Sequence, residues 1–122
     1  MLGAFGASVS LTYHSQQQAA AELVEEIDGG EGRGQAFEVA IEDEESVSDA
    51  VDRASSKFGD LKGMVVSAGV FEHCPIEDMT LEFWERTMSI NLRGTVWCVK
   101  AAARQMRAHE SGGSIVLYSS TA

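Results

Sequence analysis

The sequence predicts an α/β fold, a parallel sheet with helices on both faces. Two observations predict it. The first is the stretch Leu61-Lys-Gly-Met-Val-Val-Ser-Ala-Gly69, where Met64, Val65 and Val66 form a short apolar run between Gly63 and Gly69. Such a run reads as a strand buried on both faces, as inside a parallel sheet. The small residues Ser67, Ala68 and Gly69 follow it. Ligands of open parallel sheets sit beyond the carboxyl ends of strands, and small residues there let a flat ligand approach the backbone. The second observation is rhythm. Strand-like and helix-like segments alternate with connections of a few residues, which means parallel strands joined by right-handed crossovers.

Taken in order, Ala7 to Thr12 is β-prone at Val9, Leu11 and Thr12. Ser15 is a candidate cap for a helix whose apolar residues Ala20, Leu23, Val24 and Ile27 recur at helical spacing. Gly29-Gly30 ends it. Gly30, Gly32 and Gly34 resemble a phosphate loop in composition only. A phosphate loop follows a strand and opens a helix, whereas this stretch follows a helix and reads as a flexible connection. Ala36 to Ile41 is the second strand. Asp43 caps the next helix, with Glu44 and Glu45 in its first turn and Val47, Ala50, Val51, Ala54 and Phe58 as its buried stripe. Beyond Gly69, Thr80 caps a helix carrying Phe83, Trp84 and Met88, and Asn91-Leu-Arg-Gly94 interrupts it. A long helix follows, with Val96, Val99, Ala103 and Met106 on one face, and Ser114 to Tyr118 is the last strand.

The chain has 122 residues and a 44% apolar fraction, which fits one globular domain across residues 1–122. The formal net charge of −10 argues against nucleic acid and against an anionic membrane as partners. No apolar run approaches the roughly 20 residues of a membrane span. The N-terminus lacks the basic flank and apolar segment of a secretory signal. Cys74 and Cys98 have no metal-ligand spacing, so no metal site is expected, and they read as thiols of a cytoplasmic protein. His73 and His109 read as lone, solvated residues.

Four segments, in order and at matching spacing, carry a family resemblance. Phe5-Gly-Ala-Ser-Val-Ser-Leu resembles the end of the first helix and the second strand of the short-chain dehydrogenase/reductase family. Val66-Ser-Ala-Gly69 resembles that family's Asn-Asn-Ala-Gly at the end of its fourth strand. Asn91-Leu-Arg-Gly94 resembles its Asn-(Val/Leu)-x-Gly. Gly112-Gly-Ser-Ile-Val-Leu-Tyr-Ser-Ser120 resembles its fifth strand, which ends in paired serines. The resemblance implies a partial Rossmann-like doubly wound sheet whose first strand is missing. The family's glycine-rich pyrophosphate loop would precede Met1, and its Tyr-x-x-x-Lys pair would follow Ala122. The chain therefore reads as a fragment of the family domain, inactive alone.

The same resemblance implies roles. Ser120 matches the catalytic serine that bonds the substrate carbonyl. Asn91 matches the catalytic asparagine, whose amide holds a water of the proton relay. Ser67, Ala68 and Gly69 would lie beside the cofactor. Ala40, with Ile41 next to it, stands where the family often has an aspartate holding the adenine, so that contact is absent or made by backbone. At the end of the second family strand, where an acidic residue selects NAD, this chain has Tyr13, His14 and Ser15. The expectation is NADP, with NAD possible.

Two functional classes follow. One is an NAD(P)-dependent oxidoreductase that interconverts a small-molecule carbonyl and a secondary alcohol, similar to 3-oxoacyl-thioester or polyhydroxynaphthalene reductases. The other is a non-catalytic α/β remnant that binds nucleotide weakly or packs on a partner. The resemblance also implies a homo-oligomer through the helix Arg93–Ala108, with Trp97, Lys100, Ala101 and Arg104 facing the partner. In the sheet, Ala7–Thr12 should pair with Ala36–Ile41, and Met64–Ser67 with Ser114–Tyr118, leaving a one-strand gap between the pairs.

Overall fold

The computed structural model describes residues 2–109 and 112–120. Four strands and four α-helices follow one another: β1 Ser8–Tyr13, α1 Gln17–Asp28, β2 Arg33–Glu38, α2 Glu44–Phe58, β3 Gly63–Val66, α3 Leu81–Met88, α4 Thr95–Ala108 and β4 Ser114–Leu117. Between α3 and α4, Ser89–Gly94 forms a π-helical turn.

The strands form two parallel pairs, β1 with β2 and β3 with β4. The expected partners are the observed ones. Leu11 stands opposite Ala36, and Val66 opposite Leu117. β1 pairs only with β2 and β3 only with β4 among the described residues, so each keeps an unpaired edge.

The second strand begins at Arg33 rather than Ala36 and ends at Glu38. Low β propensity at Gly34 conceals its start in the sequence. Gly34 belongs in the strand because α1 lies close: a Cβ there would sit 3.2 Å from Val24 Cα. Gly32 is as crowded, since a Cβ would come within 2.8 Å of the Ala7 carbonyl oxygen. The glycine-rich connection is therefore packed, not flexible. Asp28 Oδ1 accepts from the Gly34 N–H at 2.6 Å and fixes it further.

Strand alternation puts Gly34 and Phe37 on opposite faces. α1 covers the Gly34 face. α2 covers the other, where Phe37 and Val39 meet Val47, Ala50, Val51, Ala54 and Ala101, with Met64, Leu61 and Trp97 at the margin. Asp43 caps α2 by accepting from the Glu45 N–H at 3.0 Å, and Gly59 ends it at φ 85°. Ser15 caps nothing: Gln16 precedes α1 and makes no side-chain cap bond.

Two burial expectations are corrected. Val66 is 4% exposed but Val65 is 58% exposed, so β3 is covered on one face only. The helix on the other face, α1, packs on β1 and β2. On α4 the buried side is rotated from the expected stripe. Met106 is buried as expected, but Val96 is 49% exposed and Ala101 and Ala102 are buried instead. α2 lies against α4, and Lys100 and Arg104 reach across to Glu44 and Asp52. Of the face assigned to a partner subunit, Ala101 is buried and Trp97 packs at the core margin, while Lys100 and Arg104 stay exposed beside α2. His109 is not solitary either: its Nδ1 lies 3.0 Å from Asp60 Oδ1.

Candidate active-site edge

Parallel pairing brings the carboxyl ends of strands together. The Tyr118 N–H donates to the Val66 carbonyl at 2.9 Å, so the chain leaves β3 and β4 side by side. Ser67, Ala68 and Gly69 therefore emerge next to Tyr118, Ser119 and Ser120, all of them exposed.

Asn91 lies in the π turn and is joined to this edge by its side chain. Its Oδ1 accepts from the Val70 N–H at 2.8 Å, and its Nδ2 donates to the Val70 carbonyl at 2.8 Å. Gly69 lies directly under the amide, where a Cβ would stand 3.2 Å from Asn91 Oδ1. A side-chain amide offers two N–H donors and two lone pairs on oxygen. Val70 takes one of each and leaves one of each. The same loop is held a second time by Glu72, whose two carboxylate oxygens accept from Arg86 Nη1 at 2.7 Å. That hydrogen bond, and next the charge of Glu72, push the Arg86 pKa further up. Sequence reasoning missed this pair, because nothing in the spacing of residues 72 and 86 marks it.

The π turn is tied to β2 as well. Asn91-Leu-Arg-Gly94 was expected to break the helix, but the helical path continues through it. Gly94 is helical, at φ −59° and ψ −41°, and buried. Glycine is required there by space. A Cβ on Gly94 would stand 2.8 Å from Ile41 Cγ1 and 3.0 Å from the Ile41 carbonyl oxygen. Single-turn π bulges occur frequently at functional sites. Here one gathers the loop after β2 and the loop after β3 onto one helix.

Ala40 and Ile41 lie past the end of β2 rather than in it. The Ala40 N–H donates to Ser46 Oγ at 3.1 Å, and its carbonyl accepts from the Asp43 N–H at 3.0 Å. Its backbone thus serves the start of α2. Tyr13 closes β1 and is half-buried, its carbonyl accepting from the Val39 N–H at 2.8 Å, while His14 and Ser15 are exposed. In register opposite Tyr13 stands exposed Glu38. The sequence puts a carboxylate at this strand end only once the register is known.

The profile of the short chain dehydrogenase family matches residues 1–122. The chain belongs to the short-chain dehydrogenase/reductase family. Among its relatives, L-rhamnose 1-dehydrogenase (NAD(P)(+)) of a Sphingomonas species is 36% identical over 115 residues, covering 94% of this chain and 45% of the relative. Trans-4-hydroxycyclohexanecarboxylate dehydrogenase of Sinomonas cyclohexanicum is 37% identical over 127 residues, covering all of this chain and 48% of the relative. The crystal structure of a short chain dehydrogenase from Burkholderia cenocepacia in complex with NADP superposes with a TM-score of 0.90 at 33% identity, covering 98% of this chain and 48% of that one. This short-chain dehydrogenase/reductase chain spans about half the length of the relatives it matches. Its fold is the doubly wound Rossmann type, with α1 on one face and α2 and α4 on the other. Among the described residues, no helix is long and apolar enough to cross a membrane.

Proposed function

We propose that this chain supplies the strand-end half of an NAD(P)-dependent oxidoreductase that interconverts a small-molecule carbonyl and a secondary alcohol. The observation that carries the reading is the gathering of the loops after β2 and β3 onto the π turn that holds Asn91, with the chain leaving β4 beside the end of β3.

The fit to a nicotinamide dinucleotide rests on the exposed small residues Ser67, Ala68 and Gly69, where a flat group can reach the backbone. When bound, that cofactor supplies or accepts the hydride. The chain's own residues do the rest. The Ser120 hydroxyl donates to the substrate carbonyl oxygen and stabilises the charge that develops there. Asn91, held by Val70, turns its remaining N–H and lone pair toward a water of the proton relay. Tyr13, His14 and Ser15 take the ribose 2′ position. Their polar groups favour NADP, and Glu38 across the register opposes it. Ala40, whose backbone serves α2, borders the adenine together with Ile41. Polyhydroxynaphthalene-type or 3-oxoacyl-thioester carbonyls remain the substrate classes of this reading. Self-association through the helix Arg93–Ala108 belongs to it as well, by way of exposed Lys100 and Arg104 with Val96 nearby.

The test has two parts. An NMR titration of the isotope-labelled chain with NADP and NAD should shift Tyr13, His14, Ser67, Ala68 and Gly69. Shifts confined to the acidic face of α2, or none at millimolar ligand, would overturn the cofactor reading. The protein expressed with whatever its gene encodes on either side should oxidise NADPH with ketones, and Ser120→Ala should lower kcat by about 10²–10³-fold. An unchanged kcat would remove Ser120 from the reaction.

A further inference from the structure

We infer that Gly94 and Ile41 are positioning residues for Asn91, joining the loop after β2 to the amide clamp on the loop after β3. The inference rests on the proposed role of Asn91 and deepens it.

The contact is made in tight quarters. Position 94 is ordinary helix, so any residue could adopt its backbone. What excludes a side chain is Ile41, whose Cγ1, carbonyl oxygen and Cγ2 would stand 2.8, 3.0 and 3.1 Å from an added Cβ. Real Cβ atoms do not tolerate the first of these, so one partner must move. Ile41 is constrained, because Ala40 before it is bonded at both backbone groups to the start of α2. The π turn is therefore the part that yields. It carries Asn91 three residues away, and Asn91 meets Val70 through two bonds of 2.8 Å that require alignment. Side-chain bulk at the end of β2 thus sets how well Asn91 is aimed, across a contact that involves neither Asn91 nor Val70. The residues on the two sides of the edge become one mechanical unit.

The test uses hydrogen exchange and side-chain amide NMR on the chain, with variants Gly94→Ala, Ile41→Ala and Ile41→Ala/Gly94→Ala. In the unaltered chain the Val70 N–H should be protected and the Asn91 amide protons should give two resolved signals. Gly94→Ala should speed exchange at Val70 at least tenfold and move the Asn91 signals, while Leu11 and Phe37 in the β1–β2 pair keep their protection. The double variant, which removes Cγ1 and Cγ2 of Ile41 but leaves its carbonyl oxygen 3.0 Å from the new Cβ, should return Val70 part of the way to its original rate. Unchanged Val70 exchange in Gly94→Ala would overturn the inference. So would a uniform loss of protection that the double variant does not reverse, or a Val70 N–H unprotected from the start. None of these outcomes depends on nucleotide binding, so a failed cofactor titration leaves this test standing.

Discussion

Asn91 and Val70 bond to each other twice, the side-chain amide of one pairing with the backbone N–H and carbonyl of the other. The pairing copies a strand contact using a side chain. It holds the segment leaving β3 against the helix that follows, and it explains why an asparagine stands inside a helical path where its propensity is low.

Asn91→Ala should therefore destabilise the chain by about 1–3 kcal/mol, the range for two lost hydrogen bonds at a partly exposed site. Asn91→Asp keeps an acceptor for the Val70 N–H but sets its second oxygen against the Val70 carbonyl, acceptor against acceptor, and should lose at least as much. Urea unfolding of the three proteins checks the order. Equal midpoints would mean that water replaces the amide at no cost.

Purified alone, the 122-residue chain should turn over no carbonyl substrate. Among its tyrosines, Tyr13 is followed four residues on by Gln17 and Tyr118 by Ala122, so neither forms the Tyr-x-x-x-Lys pair that delivers the proton. NADPH absorbance with a panel of ketones is the measurement, and enzyme-dependent oxidation above background would refute the expectation.

Glu38 opposite Tyr13 should act against a 2′-phosphate. Strand spacing puts their backbones about 4.8 Å apart, within the range where a carboxylate repels an anion. Glu38→Gln should raise the ratio of NADP to NAD affinity severalfold, and more so at low salt. A ratio that does not move would place the ribose elsewhere.

Cys98 should be the slow thiol. Burial raises its pKa, which leaves less thiolate at neutral pH than exposure would. Iodoacetamide should label Cys74 first in the folded chain and both at similar rates in urea. The sign for stability follows. Above the ordinary thiol pKa of about 8.5, the unfolded chain has lost this proton while the folded chain keeps it. Stability therefore falls as pH rises through that region.

The unpaired edges of β1 and β3 should make the isolated chain marginal. Such edges invite association, and a net stability of roughly 5–15 kcal/mol leaves little to lose. Near-UV circular dichroism at Trp84 and Trp97 during heating should show a broad, early transition. A sharp, reversible one at high temperature would mean the two pairs sustain themselves.

Much of this was legible in the residues, and the reasons are local. Asp43 and Thr80 cap as read, each standing directly before its helix: Thr80 Oγ1 accepts from the Phe83 N–H at 3.2 Å, whereas Ser15 stands one residue too early to cap α1. The strand pairing was legible because the crossovers leave few alternatives. What escaped was set by neighbours far along the chain. The start of β2 depends on α1 pressing on Gly34, and the buried side of α4 depends on where α2 lies. At the candidate site, the sequence singled out Asn91 and the residues after β3 separately, and the bond that joins them through Val70 was not legible. The contact of Gly94 with Ile41, separated by α2, β3 and α3, carries no sequence mark at all.

The π turn at Ser89–Gly94 has one more consequence, for length rather than chemistry. It stores an extra residue relative to the α-helices on either side, and each residue advances a helix by about 100°. Deleting one residue there would relax the turn to ordinary helix and leave everything downstream nearly in phase, whereas adding one more would spin it by that angle. Ala101 and Ala102 would swing away from α2 and the sheet, and the polar side of α4 would turn inward. The segment should therefore tolerate the loss of one residue better than the gain of one, provided that Asn91 and Gly94 keep their places.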